Sequence, residues 1–93
     1  MTNAPRIGDR IYLDFGALAG SDLATVVGVQ PADKWGPAQL WVRRSDFSLT
    51  TTTLAGLGAP VRGRIATDYQ GEEFFSPSER VPGIGAYPVA LVD

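Results

Sequence analysis

Apolar and polar residues alternate along much of this chain with the period of two that belongs to β-strands. In residues 10–15 (Arg-Ile-Tyr-Leu-Asp-Phe), Ile11, Leu13 and Phe15 fall on one face, and Arg10, Tyr12 and Asp14 on the other. The Gly8-Asp9 pair ahead of them is a turn signal. Residues 23–30 form a second expected strand with Leu23, Thr25, Val27 and Val29 on one face. Gly28 inside it marks a bulge or tight bend. Residues 31–37 open and close on prolines and read as a loop, and residues 39–44 form a short strand with Leu40 and Val42 opposite Trp41 and Arg43. Residues 61–69 alternate again, with Val61, Gly63 and Ile65 set against Arg62 and Arg64. Gln70-Gly71 then turns the chain into a partner strand over 72–75, and residues 87–92 close it, Pro88 marking an edge or a strand start.

Between these segments, residues 46–60 join a β-prone half (Phe-Ser-Leu-Thr-Thr-Thr-Thr-Leu from Phe47) to a flexible one (Ala-Gly-Leu-Gly-Ala-Pro from Ala55). A hairpin arm or a long loop with one extended edge fits that composition. Ser78-Glu79-Arg80 reads as a single helical turn, and nowhere do apolar residues recur at helical spacing over ten residues. Short strands separated by turn signals, in 93 residues, predict one all-β domain with little helix: a small barrel of five to six strands.

Composition narrows what that domain does. The net charge of −2 and the pI of 4.9 disfavour sequence-independent nucleic-acid binding, which needs a basic field. The absence of Cys and His removes thiolate chemistry, the usual general base and the commonest zinc ligand. No segment is apolar enough for a signal peptide or a membrane span, so the expected setting is the cytoplasm, without membrane contact.

The remaining chemistry is sparse. Glu72 and Glu73 are adjacent, but consecutive strand residues point to opposite faces and do not converge on one substrate. Asp9, Asp14 and Asp22 lack the alternating spacing of a calcium loop. Gly56-Leu-Gly58 and Gly83-Ile-Gly85 lack the third glycine and the following helix of a dinucleotide fingerprint. No catalytic residue, metal or cofactor is therefore assigned. Arg43, Arg62 and Arg64 on outer strand faces, with Trp41, read either as a stripe for stacking and phosphate contact or as ordinary exposed arginines paired with acids. Trp35, beside Gly36 and Pro37, is either an exposed anchor for a partner or a lid on the core.

Three short pieces carry a resemblance: Gly8-Asp9-Arg10-Ile11, Val26-Val27-Gly28 and Tyr87-Pro88-Val89-Ala90. Together they resemble SH3-like barrels, and the first and last resemble the plasmid-carried type II dihydrofolate reductases. That likeness implies an SH3-like barrel, a homotetramer with a pore site near Tyr87, and an origin in a mobile integron cassette or a phage-type reading frame. The family sets a pore-lining glutamine and isoleucine ahead of the closing motif, where this chain has Gly85 and Ala86. The likeness therefore speaks for the fold more than for the reaction. The leading expectation is a noncatalytic binding or assembly module that forms a homo-oligomer and meets a protein or peptide partner through Trp35, Trp41, Arg43, Arg62, Arg64 and Tyr87. The alternatives are an oligonucleotide-binding barrel and a reductase-like enzyme.

Overall fold

A computed structural model describes residues 4–92. Seven strands lie in one sheet: β1 (Arg10–Asp14), β2 (Ser21–Gln30), β3 (Gln39–Arg43), β4 (Leu49–Thr53), β5 (Val61–Thr67), β6 (Glu73–Pro77) and β7 (Gly85–Leu91). A single 3₁₀ turn, Leu54–Gly56, follows β4. The spatial order is β4-β3-β2-β1-β7-β5-β6, so β4 and β6 are the outer strands. All neighbours are antiparallel except β5 and β7, which run parallel from Val61↔Val89 to Gly63↔Leu91. The protein is thus all-β. The β-prone half of residues 46–60 supplies β4, which brings the strand count to seven against the expected five to six.

The sheet buries residues on both of its faces. Ile11, Leu13, Ala24, Val26, Leu40, Val42 and Ala86 form one cluster, flanked by Leu54 and Leu57 from the crossing after β4. Leu23, Val61, Phe75 and Tyr87 form a second, with Tyr12, Ile65 and Val89 packed against it. The second cluster exists because the β5–β6 hairpin doubles back over β1 and β2. Tyr12 and Phe75 meet at 5.2 Å between ring centroids, and Arg10 reaches Glu73 at 2.9 Å. Burying a side chain the size of Leu or Phe contributes about 1.5–3 kcal/mol, so the second cluster is a substantial part of a small core.

Two-faced burial also explains where simple alternation departs from the structure. Leu23, Ala24 and Val26 are buried, while Val29 is 46% exposed. In β2, Leu23 serves one cluster and Ala24 and Val26 the other, and the pairing with β3 slips between Val26 and Gly28. That slip is the bulge expected at Gly28. Phe15, expected inside, lies at the surface beneath the Arg44 guanidinium at 4.7 Å. Leu40 and Val42 point inward with Trp41 and Arg43 outward, which settles the facing that alternation alone leaves open.

Two expectations are corrected. Ser78-Glu79-Arg80 is a bend, not a helical turn, because the Ser78 amide is taken by the Arg62 carbonyl at 2.8 Å and prolongs the sheet pairing. Pro88 lies within a central strand rather than at an edge or a strand start. It is tolerated there because Ile11↔Pro88 is the last rung towards β1, while the β5 ladder begins one residue later at Val89. Gly63 stands where β5 and β6 approach most closely. A Cβ built there would lie 2.3 Å from the Ser76 carbonyl oxygen and 2.8 Å from Pro77 Cα, so only glycine fits.

Hydrogen bonds at the strand ends fix which backbone groups face outward. Arg44 N–H donates to Ser48, and Leu54 N–H to Ala38, across the β3–β4 register. Bonded pairs alternate in an antiparallel ladder, so Thr50 and Thr52 turn their amides towards β3. The amides of Leu49, Thr51 and Thr53 face away from the sheet. In β6, the bonds Ser78 to Arg62 and Asp68 to Glu72 set the same alternation. There Glu73, Phe75 and Pro77 face outward.

Candidate functional site

A chemically varied recess, a cleft of about 440 Å³, lies between the β1–β3 face and β6. Arg10, Thr25, Arg43, Phe47, Phe74 and Phe75 contribute to its wall. Alternation delivers the first three: Arg10↔Thr25 and Thr25↔Arg43 are cross-strand pairs on one face. The turn between β3 and β4 brings Phe47 to the rim, and β6 supplies the opposite wall.

Three arginines reach this cleft, and two of them are neutralised. Arg10 pairs with Glu73 at 2.9 Å, and Arg44 Nε donates to Asp22 Oδ2 at 3.1 Å. Among the described residues Arg43 has no ion-pair partner. It is a cation in a cleft also lined by Phe47, Phe74 and Phe75, free to meet an incoming carboxylate in a contact that can be bidentate.

The turn that carries Phe47 is built with unusual residues. Arg44 N–H donates to the Ser48 carbonyl at 2.8 Å and Phe47 N–H to the Arg44 carbonyl at 3.0 Å. Phe47 has φ of 68°, the one positive value at a residue other than glycine among those described. A bulky residue in that region costs about 1–3 kcal/mol, yet the Phe47 side chain is 81% exposed and recovers none of it by burial. Strain held in place for an exposed ring directs attention to what the ring meets. Asp46 braces the turn: Ser48 donates both its amide and its hydroxyl to Asp46 Oδ1, at 2.9 and 2.5 Å. The hydroxyl bond first, then the amide bond, hold the Asp46 carboxyl below the usual carboxylate range.

The residues singled out from sequence do not assemble into one site. Arg43 lines the cleft, and Trp41 lies two residues away on the same face of β3, half-exposed, its Nε1–H donating to Gln30 Oε1 at 3.4 Å. Arg62 and Arg64 are exposed on β5, the strand paired with β6, and neither lines the cleft that Arg43 lines. Trp35 is 83% exposed at the tip of the β2–β3 loop, so it is not a lid on the core. Asp33 Oδ1 fixes that tip by accepting from the Trp35 and Gly36 amides at 2.8 and 3.0 Å, and Lys34 Nζ lies 5.1 Å from the Trp35 ring. Tyr87 is buried in the second cluster, and its hydroxyl donates to the Pro82 carbonyl. Its ring occupies the space a side chain at Gly58 would need, 2.4 Å from a Cβ built there.

Sequence reasoning missed Arg10, Phe47 and Phe74 as cleft residues. Phe47 carried a readable signal: Arg-Ser-Asp-Phe-Ser puts an aromatic residue where a tight hairpin turn wants Gly or Asn. Arg10 and Phe74 meet only through the doubling back of the β5–β6 hairpin, which no local pattern encodes.

A second recess of about 420 Å³, with Ile11, Pro60, Ile65, Pro88 and Leu91 in its wall, is more apolar. Among the described residues no three acidic side chains converge in a metal-holding group, and no helix is long and apolar enough to cross a membrane. Comparison with protein-family models, with curated proteins and with solved structures returned no match.

Proposed function

We propose that this chain is a noncatalytic binding module that takes an extended segment of a protein partner in the cleft between β6 and the β1–β3 face. The observation that carries the reading is Arg43: a cation with no acidic partner among the described residues, lining the same cleft as Phe74, Phe75 and the strained, exposed Phe47. A carboxylate on the partner satisfies Arg43, and an apolar side chain next to it covers Phe47 or Phe74. The charge census favours a protein segment over an oligonucleotide. Asp22, Glu72 and Glu73 balance Arg10, Arg43 and Arg44 in the cleft wall, and Arg62 and Arg64 do not line it. No basic field remains for a polyanionic backbone, whereas a single carboxylate needs only Arg43.

Selection of random peptides on a display library against the purified protein tests the reading. Enriched sequences should place Asp or Glu beside an apolar residue, and Arg43→Glu should weaken the best of them at least about tenfold, near 1.4 kcal/mol. Failure to enrich any sequence above background, or equal binding by Arg43→Glu, would overturn it. Tight, salt-sensitive binding of a short single-stranded oligonucleotide would replace it with the nucleic-acid reading.

A further inference from the structure

We propose that β4 pairs with β4 of a second copy of this chain, antiparallel and about a twofold axis through Thr51, to make one continuous sheet across two molecules. The inference goes beyond the cleft reading and rests on different groups, the outward backbone of an edge strand.

The first support is the hydrogen-bonding phase. Leu49, Thr51 and Thr53 turn their amides and carbonyls outward, as the Arg44–Ser48 and Leu54–Ala38 bonds require. A twofold axis perpendicular to a sheet must pass through a residue that pairs with itself. With the axis at Thr51, Leu49 opposes Thr53 of the second copy, Thr51 opposes Thr51, and Thr53 opposes Leu49. Those are the three positions with free groups, so all three rungs are bonded pairs and six backbone hydrogen bonds form. No other centre within β4 uses all five residues.

Charge is the second support, and it selects the occupant. Residues 47–61 carry no charged side chain, in a chain with 8 basic and 10 acidic residues. An uncharged strand opposes its own copy without like-charge repulsion, which is what an isologous contact demands. The neighbouring strand agrees: Arg43↔Leu49 and Gln39↔Thr53 are the β3–β4 rungs, so Arg43 of one copy is aligned with Gln39 of the other and not with its own equivalent. The edge also lacks the lysine, proline or bulge that ordinarily blocks such pairing.

The test is light scattering with size-exclusion chromatography from about 10 µM to about 1 mM, a range that captures an edge-only contact of modest affinity. The wild-type chain should move from monomer to dimer and stop there, because a closed twofold contact uses up both edges. Thr51→Pro removes an outward amide and leaves the β3 ladder intact. It should be monomeric throughout, with an unchanged unfolding transition. Thr51→Lys sets two ammonium groups face to face at the axis, and should weaken association at least about tenfold at low salt, with partial recovery at high salt. If Thr51→Pro fails to fold, the lysine variant decides alone. A wild-type monomer at every concentration, or a dimer that persists in Thr51→Lys at low salt, overturns the inference. Thr51→Lys should keep its cleft peptide and Arg43→Glu should keep its dimer, so the failure of either reading is visible apart from the other.

Discussion

At β4 the sheet ends in three outward amides, on Leu49, Thr51 and Thr53, with no charge within the strand. At β6 it ends in two, because Pro77 occupies the third outward position and has no amide to offer. Glu73 adds a carboxylate to that second edge, tied back to Arg10. Both strands have five residues and both finish the same sheet. One is blunted in the ways that keep sheets from joining, and the other is not. Edge chemistry is therefore specified strand by strand in this protein, and the unblunted strand is the one whose side chains oppose themselves without conflict.

The contrast is most sharply broken at the attachment of the blunted edge. Gly63→Ala drives a methyl group into the β6 backbone, which cannot yield as a flexible side chain does. A loss of about 3 kcal/mol or more is expected in urea unfolding. Next comes Thr52→Pro, which removes a bond to β3 and should cost about 2–3 kcal/mol in the same measurement. The neighbouring Thr51→Pro should cost under about 0.5 kcal/mol, since its amide has no partner within the molecule. Pro77→Thr gives β6 its missing donor without touching the β5 ladder. Stability should barely change, while light scattering should show association beyond the dimer as a second edge becomes competent. Glu73→Gln removes only a half-exposed ion pair, and a change below about 0.5 kcal/mol is expected.

The smallest effect belongs to the turn beside β4. Asp46 titrates below its ordinary value because Ser48 bonds its charged form. Its contribution to stability is therefore present above the unfolded-chain value and is lost as pH falls through the lowered one. Ser48→Ala should raise the Asp46 value towards the ordinary range in an NMR titration and narrow that window. An unshifted titration would show that the turn, and the placing of Phe47 beside the edge, does not depend on this brace.

Most of the strands are legible in the sequence because period-two alternation is a local property. Leu40 and Val42 against Trp41 and Arg43, or Val61 and Gly63 against Arg62 and Arg64, can be read without knowing any partner. The bulge at Gly28 is legible for the same reason. What the pattern does not encode is the doubling back of the β5–β6 hairpin over β1 and β2. That packing makes Tyr12 half-buried and sends Leu23 to a different cluster from Ala24. It also puts Phe75 opposite Tyr12 and builds the cleft from residues more than sixty positions apart, such as Arg10 and Glu73. Long-range packing likewise decides Pro88, which local rules send to an edge and the structure holds in a central strand between two ladders. The candidate site was legible in Arg43 and not in its surroundings.

The position of β7 has a further consequence for how the chain reaches this structure. β1 to β4 form a meander of neighbouring strands, and β5–β6 is a hairpin, so each pairs within a short stretch of sequence. β7 alone joins their ladders, antiparallel to β1 on one side and parallel to β5 on the other. On the ribosome the two parts share no strand ladder until residues 85–91 emerge, and both clusters wait on Ala86 and Tyr87. Closing a contact between β1 and β7 orders some seventy intervening residues, and topologies dominated by such contacts fold in milliseconds to seconds rather than microseconds. A stopped-flow experiment should show that slow phase, and a chain ending before Gly85 should lack it because it has no fold to complete.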